Sequence, residues 1–290
     1  MPDLMLPSVD IITPIYNRAH FLEPLYYSIV EHKIIHNWIV IDDDSVDCPE
    51  NILESLPQSS SLKIVYKKIK KSGFNAALNV GFSLLSSDFF FKVDSDDLLS
   101  DNFSICFERV FRLLTQQNQI ASIYGFSFRT SDAEGNLIGS LNIPDIYKIS
   151  LLPPTYLCKY SFMRVYGKRS SGDFLDLFES SFAKYQFRYP LFGDEFKSPT
   201  SMLHTSYALH YSHQYVAYVD VPFLIKNYLP DGLTQLKVSD LTKNPKSYLV
   251  LALQHSSFPN LTIPVKVSIL KTCVRALYCI AIRFVLGFLR

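Results

Sequence analysis

Asp94, Asp96 and Asp97 fall within four residues, directly after the apolar run Phe89-Phe90-Phe91. Carboxylates this close repel one another, so something positive must offset them. Hard oxygen ligands suit Mg²⁺ or Mn²⁺. An Asp-x-Asp at a strand end gives such an ion one or two carboxylates and leaves coordination positions open for phosphate oxygens. A plainer reading stands beside it. Acidic loops are common, and Asp97 can begin a turn or cap the helix that starts near Asp101.

Two further polar clusters sit at the ends of apolar runs. Thr13-Pro14-Ile15-Tyr16 follows Val9-Asp10-Ile11-Ile12, and Asp42-Asp43-Asp44 follows Trp38-Ile39-Val40-Ile41. These runs read as strands. A third strand is expected at Leu62–Tyr66 and a fourth at Phe89–Phe91. Helices are expected between them: one capped by Asn17, with Phe21, Leu22, Leu25 and Ile29 facing in; one starting at Asp47 and Pro49; and one from Gly73 to Leu85. Alternating strands and helices predict an α/β fold with a parallel sheet, and ligands in such sheets bind outside the carboxyl ends of the strands. All three polar clusters belong at that rim. Neither a Gly-x-Gly-x-x-Gly nor a Walker loop is present, which argues against a dinucleotide or P-loop site.

After Asp101 an amphipathic helix carries Phe103, Cys106, Phe107, Val110, Phe111 and Leu114. Ile123–Phe128 is a strand, and Ser131–Asn136 is a turn closing a hairpin with Leu137-Ile138. From there the alternation gives way to a mixed half. The 290 residues suffice for one domain, or one with a subdomain, and the net charge of +1 shows no nucleic-acid footprint. Five scattered cysteines without a Cys-x-x-Cys predict reduced thiols in a cytoplasmic protein. The N-terminal residues lack an apolar run of signal-peptide length, and no run of about 18 apolar residues predicts a membrane span. Lys266 to Arg290 alternates apolar residues with Lys271, Arg275 and Arg283, a cationic helix suited to a membrane interface or to packing against protein.

Thr13–Arg18, Val40–Ser45, Ala77-Leu78-Asn79-Val80-Gly81 and Val93–Asp97 resemble, in order and spacing, the successive motifs of the family 2 glycosyltransferases. Gly172-Asp173, Tyr189-Pro190 and Gly193-Asp194-Glu195-Phe196 resemble the acceptor side more loosely. Tyr228–Thr234 with Asn244-Pro245 resembles a loop of bacterial surface-polysaccharide members. The resemblance implies a GT-A fold: a Rossmann-like, mostly parallel sheet with a mixed acceptor-side half and a C-terminal helical tail. Residues 1–100 would form the nucleotide-sugar half, 101–235 the acceptor half and 236–290 a helical extension.

The implied activity is inverting, metal-dependent transfer from a nucleotide-diphosphate sugar, UDP by default. The implied acceptor is a saccharide or lipid-linked saccharide. The enzyme would be cytoplasmic, with membrane-surface contact through 266–290. Tyr16 would stack on the base, with Pro14 giving backbone contact, and Asp42 would hydrogen-bond the base. Asp94 would approach ribose or metal, and Asp96 would bind Mn²⁺ or Mg²⁺. Asn79 borders the nucleotide. Asp194 would be the general base, with Glu195 its competitor. The plainer reading of both acids is a helix N-terminus. Gly232 and Thr234 suggest a lid or an ordinary turn, and His204, His210 and His213 either flank the acceptor cleft or are ordinary satisfied or exposed histidines on a helix or loop.

This chain departs from the family pattern in two places. Asp44 stands where a Gly is usual, and Phe74-Asn75-Ala76 stands where a basic residue is expected, with Lys70 and Lys71 just upstream. Two other readings compete. One is a non-catalytic nucleotide- or sugar-binding protein on the same fold. The other, a receiver-like phospho-acceptor domain, explains nothing after residue 130.

Overall fold

The computed structural model describes residues 5–139, 150–152, 174–195, 197–211, 214–229, 241–259 and 261–288. The expectations at Cys158, Gly172, Asp173, Phe196, His213, Gly232 and Thr234 fall outside them. The chain divides into two compact units. The first comprises, among described residues, 5–139, 150–152, 174–186 and 214–227. The second comprises 187–195, 197–211, 228–229, 241–259 and 261–288.

The first unit holds the sheet. Its strands are β1 (Val9–Ile15), β2 (Ile35–Asp42), β3 (Lys63–Lys68), β4 (Phe89–Lys92), β5 (Leu98–Leu99), β6 (Ile123–Ser131), β7 (Ser150–Leu152), β8 (Phe174–Glu179) and β9 (Tyr215–Ile225). They run in the order β3-β2-β1-β4-β8-β6-β9-β5, with β7 on β9. The β3-β2-β1-β4 half is parallel. The other half is mixed: β8 is antiparallel to β4 and β6, and β9 is parallel to β6.

Between the strands lie α1 (Leu22–Val30), α2 (Pro49–Ser55), α3 (Phe74–Leu84) and α4 (Phe103–Gln116), with the short α5 (Ser180–Tyr185) after β8. Apolar residues of α1, α2 and α4 join Val9, Ile11, Trp38 and Phe91 in one core cluster. α3 packs against β1 and β2. There Gly81 allows close approach, since a Cβ would meet Ile12 Cγ2 at 2.6 Å. Cover on both faces explains why β1 is an almost unbroken buried run.

One local expectation needs correction. Asn17 caps no helix. Its φ of 51° is left-handed, and a 3₁₀ turn at Ala19–Phe21 precedes α1. The helix expected to start at Asp47 and Pro49 is α2, with Pro49 in its first turn, and Asp47 accepts a hydrogen bond from the Ala19 amide at 2.7 Å. The hairpin expected past Ser131 is present: Ser131 bridges Leu137, flanked by bonds from the Ile138 amide to the Thr130 carbonyl and from the Asp132 amide to the Asn136 carbonyl, both at 2.9 Å.

The second unit contains α6 (Ser201–His210), α7 (Pro245–Ser256) and α8 (Ile263–Phe288). His255 of α7 is buried, with Nε2 3.1 Å from Thr205 Oγ1 of α6. Burial depresses its pKa from about 6.5 to about 4. The unfolded chain therefore takes up a proton below pH 6.5 that the fold refuses. Stability should fall as pH drops from about 6.5 to 4, by up to about 3 kcal/mol. His255→Gln keeps a hydrogen-bonding group and should flatten that limb in melts taken across the range. An unchanged acid limb would rule His255 out.

Candidate active site

The order β3-β2-β1-β4 reverses direction between β1 and β4, and α/β sheets bind ligands at such switch points. Pairing of β1 with β4 ends at Ile12↔Lys92, with a last bond from the Val93 amide to the Ile12 carbonyl. β1 continues for three more residues along β2, to Ile15↔Asp42. Pro14 lies on this overhang and faces the side that β4 has left. A residue without an amide hydrogen fits there, because no ladder bond is lost.

Past Ile15 the loops are tied together. Ser45 Oγ accepts the Asn17 amide at 3.0 Å, and Asn17 Oδ1 accepts the Val46 amide at 3.0 Å. This leaves Tyr16 46 % exposed at the rim, with the Lys71 ammonium over its ring. Lys71 also lies 3.5 Å from Asp43. Asp43 accepts the Ser72 and Gly73 amides at 2.6 and 2.9 Å and so fixes the start of α3.

Asp42, expected to meet a base, is fully buried. Its oxygens accept the Ser45 amide and the Tyr66 hydroxyl, both at 2.7 Å. Burial, then this bond, raises the Tyr66 pKa. In this arrangement Asp42 forms the floor of the rim, and a base contact requires it to exchange these partners.

Asp44 adopts φ 69°, the left-handed conformation that suits Gly. The turn therefore persists despite the departure from the family pattern, since Asp tolerates this region better than most residues. Asp44→Gly should stabilise the protein by up to about 1 kcal/mol and leave activity alone, whereas Asp44→Val should cost about 1–2 kcal/mol. Urea denaturation of both variants checks this.

After β4 the chain turns, with the Asp97 amide on the Asp94 carbonyl at 3.1 Å. Asp97 is buried; it closes this turn rather than beginning one, and the N-cap position of α4 is Asn102. Asp97 accepts Lys226 Nζ at 2.7 Å and the Asn227 amide at 3.1 Å, both delivered by β9, whose Ile225 pairs with Leu98 of β5. Burial raises its pKa to about 6 against the pull of Lys226. Asp94 accepts Lys92 Nζ and lies 3.7 Å from Lys226 Nζ. The two lysines thus supply part of the positive charge that the acid cluster demands.

Asp96 is different. Among the described residues it has no ion-pair partner within 4 Å. Burial, then the charge of Asp94, raises its pKa; Lys226 and Arg18 oppose this from further away. A half-buried hard-oxygen ligand with residual negative charge fits a divalent cation. Among the described residues no three His, Cys, Asp or Glu side chains converge on one point. Asn79 lies half-buried on α3.

Asp194 and Glu195 belong to the second unit. Glu195 accepts the Lys246 and Ser247 amides and the Ser247 hydroxyl, which makes it the N-terminal cap of α7. The plainer expectation, acids at a helix N-terminus, thus describes Glu195. Asp194 is half-exposed, 2.7 Å from Lys246 Nζ and 3.8 Å from Arg283. The Lys246 hydrogen bond, with help from both positive charges, holds its pKa low. His204 and His210 lie on α6, the former half-buried and the latter exposed at its end.

Sequence reasoning missed Lys92, Arg18 and Lys226. Arg18 closes one recognised motif and Lys92 adjoins another, which was signal enough. Lys226 lies 129 residues from Asp97, and only the pairing of β9 with β5 brings them together.

The sequence model of glycosyl transferase family 2 matches residues 10–171. The minor teichoic acid biosynthesis protein GgaA of Bacillus subtilis (strain 168) is 39 % identical over 99 residues, 32 % of this chain and 22 % of that protein. Across the curated relatives matched, this chain spans 22 to 45 % of their length. Among solved structures, S. aureus TarS 1–349 in complex with UDP-GlcNAc aligns over 93 % of this chain and 72 % of its own, with TM-score 0.64 and 13 % identity. The mannosyltransferase PcManGT from Pyrobaculum calidifontis, in complex with GDP-Man and Mn²⁺, aligns over 96 % and 75 %, with TM-score 0.55 and 14 % identity. These likenesses establish the GT-A fold.

Proposed function

Because the chain belongs to glycosyl transferase family 2, we propose that it transfers a sugar from a nucleotide-diphosphate sugar to a saccharide or lipid-linked saccharide in surface-polysaccharide synthesis. UDP is the default nucleotide, as in the TarS complex. One observation carries the reading: Asp96, half-buried and with no ion-pair partner within 4 Å among the described residues, lies at the β1–β4 switch point on the same rim as the exposed Tyr16 ring.

In this reading the nucleobase takes the place of the Lys71 ammonium on Tyr16, and Pro14 borders it on the open edge of β1. Asn79 lines the nucleotide from α3. Lys92, Lys226 and Arg18 offer the diphosphate the positive charge that the family pattern places before α3. Asp94 approaches the ribose and shares the cation with Asp96. When bound there, Mn²⁺ or Mg²⁺ neutralises charge on the departing diphosphate.

The general base is Asp194, and the capping role of Glu195 supports that choice. Its carboxylate takes the proton of the acceptor hydroxyl as the acceptor oxygen bonds to the anomeric carbon. The bond to the diphosphate breaks on the far side, and its electron pair leaves with the phosphate oxygen, so the anomeric centre inverts. The work belongs in the cytoplasm, at the inner face of the membrane when the acceptor is lipid-linked.

A thermal-shift panel of nucleotide sugars with and without Mn²⁺ tests this. One donor should raise the melting temperature only with the metal, corresponding to about 2.7 kcal/mol at a hundred times its Kd. The same donor with a suitable acceptor should release free nucleoside diphosphate. Binding without release would favour the non-catalytic alternative, and no shift from any donor would end the proposal.

A further inference from the structure

We infer that the outward face of α8 is a docking surface for an anionic lipid bilayer. α8 is 26 residues long, about 39 Å at 1.5 Å per residue. One side packs against its own unit: Val265 and Ile269 adjoin the Ala208–Phe258 cluster, and Ala276 is fully buried. The opposite side is apolar where a soluble helix is polar. Val267, Leu270, Val274, Leu277 and Phe284 recur there at three-, four- and seven-residue spacing, with Leu270 63 % and Phe284 66 % exposed. At 100° per residue they share one stripe, with Lys266 on one flank and Lys271 and Arg275 on the other.

The charge of the segment selects the occupant. Residues 241–290 contain seven Lys or Arg and no Asp or Glu, so with a chain total of +1 the first 240 residues carry −6. A second copy would bring the same cations to the stripe and repel it. Anionic headgroups complement them, while the stripe enters the acyl boundary. Among the described residues no helix is long and apolar enough to cross a membrane, so the contact is parallel to the surface. Arg283, which donates to the Thr242 and Lys243 carbonyls, ties the inner side of the helix to its unit. The inference extends the lipid-linked acceptor reading and rests on it for its purpose; the binding is measured without any sugar donor.

The test is co-sedimentation of the full chain with vesicles of phosphatidylcholine, alone or with phosphatidylglycerol. The chain should pellet with the anionic vesicles and remain soluble with the neutral ones. Leu270→Glu combined with Leu277→Glu should cut the bound fraction at least tenfold with unchanged circular dichroism. Lys271→Glu combined with Arg275→Glu should do the same. Equal binding of the first double variant overturns the inference. So does a wild-type chain that ignores anionic vesicles, whether it is monomeric or forms a dimer that the first double variant dissolves. Nucleotide-sugar thermal shifts on the same proteins keep the two proposals separate: vesicle binding without any donor shift sinks the transferase reading and leaves this one standing.

Discussion

Asp96→Asn should lower turnover of a nucleotide sugar by about a thousandfold or more and leave the fold intact. Asn keeps the shape and one oxygen but removes the charge that holds a divalent cation. Loss of that electrostatic help is worth several kcal/mol in the transition state, and about 4 kcal/mol is a thousandfold in rate. The stability half of the expectation has the opposite sign. The Asp96 pKa is raised in the fold, so ionising it at neutral pH costs the folded state more than the unfolded chain. Asn removes that cost, and the melting temperature should hold or rise slightly. The metal-dependent thermal shift with donor should vanish in the same variant. Retained turnover would remove Asp96 from the site, whereas a large fall in melting temperature would make it a structural residue.

The second large effect lies at the other end of β1. Asp10 is fully buried and accepts four hydrogen bonds: the Ser86 amide at 2.7 Å, the Ser87 amide at 3.0 Å, the Ser87 hydroxyl, and Asn37 Nδ2 at 2.6 Å. It clasps the turn before β4 to β1 and β2. Asp10→Ala strands these donors in the interior and should cost about 3–5 kcal/mol. Asp10→Asn should recover little. With its NH₂ toward the serine amides an Asn meets two donors, and turned the other way it meets the Asn37 NH₂ and a Ser87 hydroxyl that must reverse its bond to accept. Urea denaturation measures the loss. Well below the melting temperature, donor binding should be unchanged, because Asp10 lies at the amino end of β1 and the rim at its carboxyl end. A loss under about 1 kcal/mol would mean the clasp is dispensable.

The two carboxylates also show what a sequence can and cannot reveal. The rim was legible: apolar runs with strand periodicity ended in polar clusters at Tyr16, Asp42 and Asp94, and a parallel sheet puts such ends together. The direction of each side chain was not. Asp42, Asp43 and Asp94 are the same residue type in similar settings. Yet Asp42 points into the floor, Asp43 holds α3, and Asp94 meets Lys92. Which way a carboxylate turns depends on amides and cations supplied by other segments. Lys226 and the α7 cap at Glu195 were hidden for the same reason, since their partners are 129 and 52 residues away. Asp10 read as one polar residue in an apolar strand, and only the turn at Ser86-Ser87 gives it a purpose. At Asp44 the chain departs from the family's usual Gly, yet it keeps a left-handed φ of 69°.

The most direct measurement is an anomalous-diffraction map of crystals soaked with Mn²⁺ and UDP. The predicted result is a manganese peak within about 2.5 Å of an Asp96 carboxylate oxygen, with the diphosphate on the peak and the uracil against Tyr16. Manganese and nucleotide bound together elsewhere on the molecule, with Asp96 bare, would contradict it.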